Sequence, residues 1–373
     1  MLRSLNQQPD MRVSVVLTRR ALTSIQDHPA PTLLTNRPTA LLRQVDLVVE
    51  CSGDPIYATV IIEACISAGI PVVTLNTEFH VTTGSYFAGK GLLSEAEGDQ
   101  PGSLARMYDE ALYQGFFPWV IGNVKGFYNP TPTESDMRHW AKKQGISLSV
   151  VTSATDGTKV QYEQALLANG LGASILQEGF VGLPATDLHT AGEKLARQAR
   201  SNRSPISDYV LFPKSPARIF IVAEHEDEQQ SALEYLKMGT GPFYILQRDR
   251  ILTYLEVPTT IRQMLRGGPP LLDNGTNPKI SVAAITKRDL RAETYIKNGV
   301  GGFDLRGIAV RKQDRPQHVP FGLIQNATIT RDLPEGSMVT WDDIELPPSR
   351  ALEIWRSFAI PHHASLNRRD HDV

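Results

Sequence analysis

DLVVECSGDP (residues 46–55) and GIPVVTLNTE (residues 69–78) flank a helical stretch, and together they decide how this chain folds. Asp46–Cys51 is a short apolar run broken by Ser52-Gly53-Asp54-Pro55, the pattern of a buried strand turning sharply into a helix. Over Ile56–Ala68, apolar Ile56, Val60, Ile61, Ala64 and Ala68 recur at helical spacing, and Gly69 follows as a stop. Pro71–Leu75 then reads as the next strand. Strand, helix and strand of this length make a right-handed parallel crossover. Ligands bind beyond the carboxyl ends of such strands. Cys51, Ser52, Gly53, Asn76 and Glu78 therefore stand where a nicotinamide is expected.

The preceding strand, Arg12–Thr18, is mostly apolar, as a strand covered on both faces should be, and it ends in Thr18-Arg19-Arg20. In a dinucleotide fold this second strand ends at the adenosine ribose. Arginines there suit a 2′-phosphate through forked, charge-assisted bonds, whereas an acid would suit a free 2′-hydroxyl. NADP(H) is the expected cofactor, and a solvated pair of arginines is the plain alternative. No G-x-G-x-x-G lies near the start, and residues 1–11 hold no strand. Met1–Pro9 reads as the last turn of a first helix, so the chain is expected to begin after the phosphate loop. The strand this removes belongs in the middle of the sheet, between 12–18 and 46–51, and its loss would open a gap. Two or three backbone bonds to phosphate would go with it, at roughly 1.5–3 kcal/mol each, a loss of roughly a hundredfold or more in affinity. Either further residues precede Met1 or the cofactor site is degenerate.

At 373 residues the chain has room for two or three domains. A net charge of −2 and a pI near 6.5 give no field for nucleic acid or an anionic membrane. Cys51 and Cys65 both lie in apolar contexts and suggest no disulfide framework. No apolar run approaches the ~18–20 residues of a membrane span, and no charged-then-apolar leader opens the chain. A cytoplasmic protein acting on a small molecule, and forming a homo-oligomer, is expected.

Residues 1–97 read as the partial dinucleotide-binding domain, an incomplete Rossmann-like parallel sheet in an α/β chain. Leu92–Glu95 is a last short strand. Gly98-Asp99-Gln100-Pro101 opens a helix to about Tyr113, and Phe116–Val124 is a strand ending at Lys125-Gly126. A helix over Thr133–Gln144, a strand over Ser147–Ser153 and a helix over Thr158–Ala168 follow. Strands at Ile219–Ala223 and Phe243–Leu246 close an α+β middle domain, 98–266, with an acidic helix start at Glu224–Glu228 between them. Leu265–Pro278, rich in Gly, Pro and Asn, reads as a linker. Residues 279–350 form a small β-rich module, and 351–373 a tail with one short helix. The tail's histidines lack a carboxylate or thiolate at ligand spacing, so a metal there is not expected.

Taken together, these blocks resemble one family. VVECSG and GIPVVTLNTE are similar to homoserine-dehydrogenase-like NAD(P)-binding domains, and the C-terminal part resembles an SAF domain. The combination resembles SAF-containing predicted homoserine dehydrogenases, including deoxyxylulose-phosphate reductoisomerase-like enzymes. Matching blocks are Gly98–Pro101, Lys125-Gly126 with Asn129-Pro130, Asp156-Gly-Thr-Lys159, Asp208-Tyr209, Lys237–Pro242 and Leu255–Pro258. The resemblance implies reductoisomerase chemistry, which needs a cation to polarise a carbonyl, an acid–base group and a basic clamp for phosphate. Homoserine dehydrogenases carry a lysine after the asparagine of T-x-N-K, where this chain has Asn76-Thr77-Glu78, so homoserine itself is not the expected substrate.

Lys125 ends a strand beside a glycine, which exposes its ammonium to a cleft. Asp156, Lys159 and Glu163 cluster at the mouth of a helix, the last two on one helical face. These are the catalytic candidates, against the plainer reading of a surface ion pair. Asp99, Gln100, Asn129 and Asp208 are candidates for substrate, and each would serve equally as a cap or a turn residue. Asp99, Asp156 and Glu163 are hard oxygen ligands, yet no spacing requires a metal. The expected activity is an NADP-dependent oxidoreductase, of reductase or reductoisomerase type, acting on a small polar, optionally phosphorylated, hydroxy or keto compound. A non-catalytic binder of a sugar-like ligand with a vestigial cofactor site is the first alternative, and a homoserine dehydrogenase the second.

Overall fold

The computed structural model describes residues 1–359 apart from 26–27, 44, 214 and 216–217, so the histidine-bearing end of the tail lies outside the described residues. Asp54 starts the decisive helix. Its carboxylate accepts from the Ile56 and Tyr57 amides at 3.0 Å each, and the helix runs Pro55–Ser67. On either side, β3 (Val48–Glu50) and β4 (Val72–Thr74) pair in parallel, and β5 (Leu93–Glu95) extends the sheet. Upstream, β1 (Val16–Leu17) pairs in parallel with β2 (Leu34–Thr35) as a separate ribbon.

Arg19, just past β1, reaches Asp54, just past β3, at 2.5 Å. The two pieces thus face each other across the place that a central strand takes in a doubly wound sheet, and the strand order matches that fold on both sides. Among the described residues no strand is laddered between β1 and β3. The strand expected over 12–18 is laddered only over Val16–Leu17, and upstream of it the Val13 amide donates to Asn6 Oδ1 at 2.9 Å.

The middle of the chain is built on β6 (Phe117–Lys125), which lies at the centre of a mixed sheet. Its order is β10 (Tyr244–Arg248), β9 (Arg218–Glu224), β6, β8 (Ile206–Leu211) and β7 (Leu183–Pro184). Side chains alternate between two cores. Val120 and Val124 with Phe220 and Val222 pack under the helix Leu188–Ser201. Ile121 with Ile219 and Ile221 faces the helices Gln100–Tyr113 and Thr158–Gly170. Leu188–Ser201 is absent from the sequence reading, although Leu188, Ala191, Leu195 and Ala199 make a plain apolar stripe.

One expected strand is a helix. Ser147–Ser153 is expected as a strand, but Leu148–Thr155 is helical, capped by Ser147 Oγ, which accepts from the Val150 amide at 3.3 Å. Thr152 Oγ1 donates back to the Leu148 carbonyl at 2.8 Å, the local bond a helical threonine can make. The acidic segment at 224–228 differs in its start: β9 runs through Glu224, and helical turn begins only at Asp227, a 3-10 turn Asp227–Gln229 that leads into the helix Gln230–Tyr235.

In the C-terminal module β11 (Ile280–Thr286) and β13 (Leu305–Arg311) form an antiparallel ladder. β12 (Tyr295–Asn298), β14 (Gln325–Ile329) and β15 (Ile344–Glu345) make a second small sheet. Its apolar residues, including Val282, Ala309, Phe321 and Ile329, share one buried core with Leu104, Ile121 and Leu166 of the middle region. The presumed linker is packed too: the Glu95 amide donates to the Leu272 carbonyl at 2.7 Å and the Leu271 amide to Ser94 Oγ at 2.8 Å. Finally the helix Arg350–Ala359 returns to Pro55–Ser67, where Arg350 pairs with Glu63 at 2.6 Å and Ile354 joins Ile61 and Ile62. Among the described residues no helix is long and apolar enough to cross a membrane.

Candidate active site

The chain leaving β5 is bent by two glycines that nothing larger could replace. Gly98 has φ +103°, and a Cβ there would lie 2.0 Å from the Thr253 carbonyl oxygen; one on Gly102 would lie 1.9 Å from that of Ala96. This close approach sets Asp99 as the cap of Gln100–Tyr113, its carboxylate accepting from the Gln100 amide at 2.9 Å. The neighbouring Glu97 is fixed by Arg106 at 3.3 Å and Arg248 at 3.1 Å.

A second helix start meets the first. Gly157, at φ +86°, turns the chain into Thr158–Gly170. From its first turn, Lys159 Nζ lies 3.6 Å from Asp99 Oδ1 and 3.6 Å from Glu163 Oε1. Glu163 is buried. Asn123, an inward residue of β6, donates to its Oε2 at 2.9 Å, and Gln100 lies at 2.6 Å from the same oxygen once its amide nitrogen faces the carboxylate. Lys125 donates to the Ala154 carbonyl.

Burial dominates the electrostatics. It pushes the Glu163 carboxyl up to about 7 against the pull of Lys159, and it pushes the Lys125 ammonium down. Lys159 moves the other way: the Asp99 carboxylate, helped by Glu163, Glu78 and Glu95, holds it firmly protonated. The centre is thus a fixed cation beside a carboxyl poised near neutrality.

Next to it lie the carboxyl ends of β4 and β5. Asn76 caps the turn after β4, its Oδ1 accepting from the Phe79 amide at 3.0 Å, while its buried Nδ2 and the Thr77 hydroxyl make no hydrogen bond among the described residues. Glu78 lies within the field of Lys159, with burial raising its carboxyl. His80 opens a π-helical turn, His80–Gly84, and its Nε2 stands 3.4 Å from Glu95 Oε2, both side chains fully buried. Burial drives the His80 imidazole down to about 3 and the Glu95 carboxyl well above the ordinary carboxylate range, which favours the neutral form of each.

Cys51, Ser52 and Gly53 form an exposed crest past β3, with Gly53 at φ +65° and open space beside it. Glu50 ties this crest to β4, accepting from the Ser52 amide at 2.6 Å and from Thr74 Oγ1 at 2.9 Å. Past β1, the Thr18 and Arg20 carbonyls are held by Asn36 Nδ2 at 2.6 and 2.9 Å, leaving the Arg20 side chain exposed. Arg19 is engaged by Asp54 and lies 4.5 Å over the Tyr57 ring.

Three sequence candidates lie apart from this centre. Asp156 does not join the cluster with Lys159 and Glu163: its Oδ2 pairs with Lys287 at 2.6 Å, both side chains buried, because its own helix turns Lys159 the other way. Asp208 is fully buried and accepts from the Val181 and Gly182 amides at 3.0 Å each and from Tyr209 at 2.7 Å, so it pins a loop. Asn129 closes a local turn, accepting from the Thr131 amide at 3.1 Å. Conversely Asn123, His80 and Glu95 escaped the sequence reading. A lone asparagine in the apolar run Phe116–Val124 was a usable signal, since a buried amide needs a partner. Among the described residues, no group of three or more His, Cys, Asp or Glu is arranged to hold a metal ion.

Residues 98–257 match the family model described as "Oxidoreductase DRL, catalytic domain". This stretch is similar to an oxidoreductase catalytic domain. The expected enzyme class, an oxidoreductase, is borne out by that match, which spans Asp99, Gln100, Asn123, Lys125, Lys159 and Glu163. No curated protein matches the chain. Among solved structures, an amine dehydrogenase from Mycobacterium smegmatis is similar at 12% identity and TM-score 0.34, over 63% of this chain and 75% of the other. A UDP-N-acetylglucosamine 3-dehydrogenase from Acidithiobacillus ferrooxidans is similar at 14% identity and TM-score 0.34, over 66% and 79%.

Proposed function

We propose that this chain is an NADP-dependent oxidoreductase of reductase or reductoisomerase type, acting on a small polar hydroxy or keto substrate, phosphorylated or not. The observation that carries the reading is Lys159, a cation held 3.6 Å from the Asp99 and Glu163 carboxylates and within the field of Glu78 and Glu95 at the carboxyl ends of β4 and β5. The cofactor region fits the group: the unbonded Asn76 Nδ2 and Thr77 hydroxyl offer partners for a carboxamide or ribose, and the open crest at Cys51–Gly53 leaves room for it. The exposed Arg20 offers a guanidinium to a 2′-phosphate. When bound, the nicotinamide would exchange a hydride with the substrate carbon.

The chain's own part is electrostatic and protonic. The Lys159 ammonium donates to the substrate oxygen and stabilises negative charge there as a carbonyl is reduced. Glu163 lies one side chain behind, near neutrality, and exchanges the accompanying proton through Lys159. Asn123 and Gln100 hold its carboxylate in place. The SAF-like and homoserine-dehydrogenase-like assignments of the two flanking regions belong to this proposal and rest on sequence blocks alone.

Calorimetric titration with NADPH and NADH tests the cofactor half: binding that favours NADPH, and loses that preference in Arg20→Ala, supports it, and the absence of binding to either refutes it. Turnover across a panel of small hydroxy acids, polyols and their keto forms tests the rest.

A further inference from the structure

Three contacts join the helix that carries Lys159 and Glu163 to the C-terminal β module, which lies outside the matched residues 98–257. The Asp156 carboxylate, just before the helix, pairs with Lys287 at 2.6 Å, and that ammonium also donates to the Gly302 carbonyl at 2.7 Å. Thr158 Oγ1 accepts from the Gly307 amide at 2.9 Å, and Gln161 Oε1 accepts from the Ala309 amide at 2.7 Å. A Cβ on Gly307 would come within 2.8 Å of Val282 and 3.2 Å of Thr158, so glycine sets how closely β13 approaches the helix. The same first turn sends Lys159 in the opposite direction, to Asp99 and Glu163.

We propose that Lys287, acting through Asp156, is a positioning residue for Lys159, so that the C-terminal module is a working part of the active centre and not an appended domain. The inference rests on the reading of Lys159 as the working cation. Buried ion pairs are seldom needed for stability alone, since apolar replacements of similar volume often serve as well, whereas losing one partner strands a charge. This pair, with the amides of β13, fixes the rotation of the helix start, and a small misplacement of a catalytic group is costly.

The test needs no substrate. Acetic anhydride labels neutral amines, so the reactivity of Lys159 by mass spectrometry, relative to exposed Lys142 on the helix Glu134–Gln144, reports how firmly Asp99 and Glu163 keep it charged. In Asp156→Asn/Lys287→Met, which removes both charges together, the labelling of Lys159 is expected to rise about tenfold, the equivalent of one pKa unit, while the far-ultraviolet circular dichroism stays native. Unchanged Lys159 labelling in a folded double variant overturns the proposal. Should that variant not fold, Thr158→Val decides in the same assay, with a smaller rise supporting the proposal and no rise refuting it. A separate Lys159→Ala turnover measurement keeps the two readings apart: full turnover there refutes the function proposed above, whatever the labelling shows.

Discussion

Lys159 and Glu163 divide the work by environment. Two carboxylates hold the lysine charged in a half-exposed position, while burial keeps the glutamate close to half-protonated at neutral pH. Replacing Lys159 by Ala should lower turnover by about a hundredfold to ten-thousandfold, the usual range for a positioned acid–base group, and leave the melting temperature nearly unchanged. The glutamate makes a thermodynamic prediction. Its folded-state value of about 7 lies above the ordinary 4.5, so between those values the folded protein binds more protons than the unfolded chain. The contribution of Glu163 to stability is therefore complete below the lower value and is lost as pH rises through the upper one. Melting curves of Glu163→Gln should be flatter across that window than those of the parent; an unchanged slope counts against the assignment. Asp208 provides the contrast. Asp208→Ala should cost about 3 kcal/mol, because it strips a charged acceptor from two buried amides and one half-buried amide, and should leave coenzyme binding intact in calorimetry.

Local patterns were readable wherever one element decided its own fate. The helix Pro55–Ser67, its Asp54 cap, the short parallel strands around it and the turn at Gly98–Gly102 all follow from spacing and turn chemistry. The pairing of Lys159 with Glu163 follows from helical periodicity as well. What stayed hidden depends on contacts between distant segments. Asp156 and Lys159 share a turn in sequence, yet only the placement of β11 and β13 reveals that one pairs with Lys287 of the C-terminal module and the other with Asp99. Leu148–Thr155 misled because its β-branched residues favour a strand, whereas caps at its ends and packing on the following helix made it helical. His80 and Glu95 each look ordinary alone. Their meaning comes from full burial 3.4 Å apart, which no periodicity encodes.

Across the whole molecule, the middle region and the C-terminal module cannot be separated cleanly, since Ile121, Leu166, Val282 and Phe321 belong to one core. A chain ending at residue 278 should therefore expose that core and give a protease-sensitive, weakly cooperative product; a compact truncation with native circular dichroism would overturn this. The helix Arg350–Ala359 closes the molecule back onto Pro55–Ser67, so the N-terminal sheet is held from both ends of the sequence.

The divided N-terminal sheet has a consequence for how copies of this chain behave in solution. Among the described residues β3 pairs with β4 alone, so its other flank joins no strand ladder. Such a flank is a template. An extended peptide, or a segment of a second molecule, can add to it by main-chain bonding without any side-chain recognition. Concentrated samples should form strand-exchanged assemblies, and a synthetic peptide of alternating valines and threonines, added in excess, should suppress them.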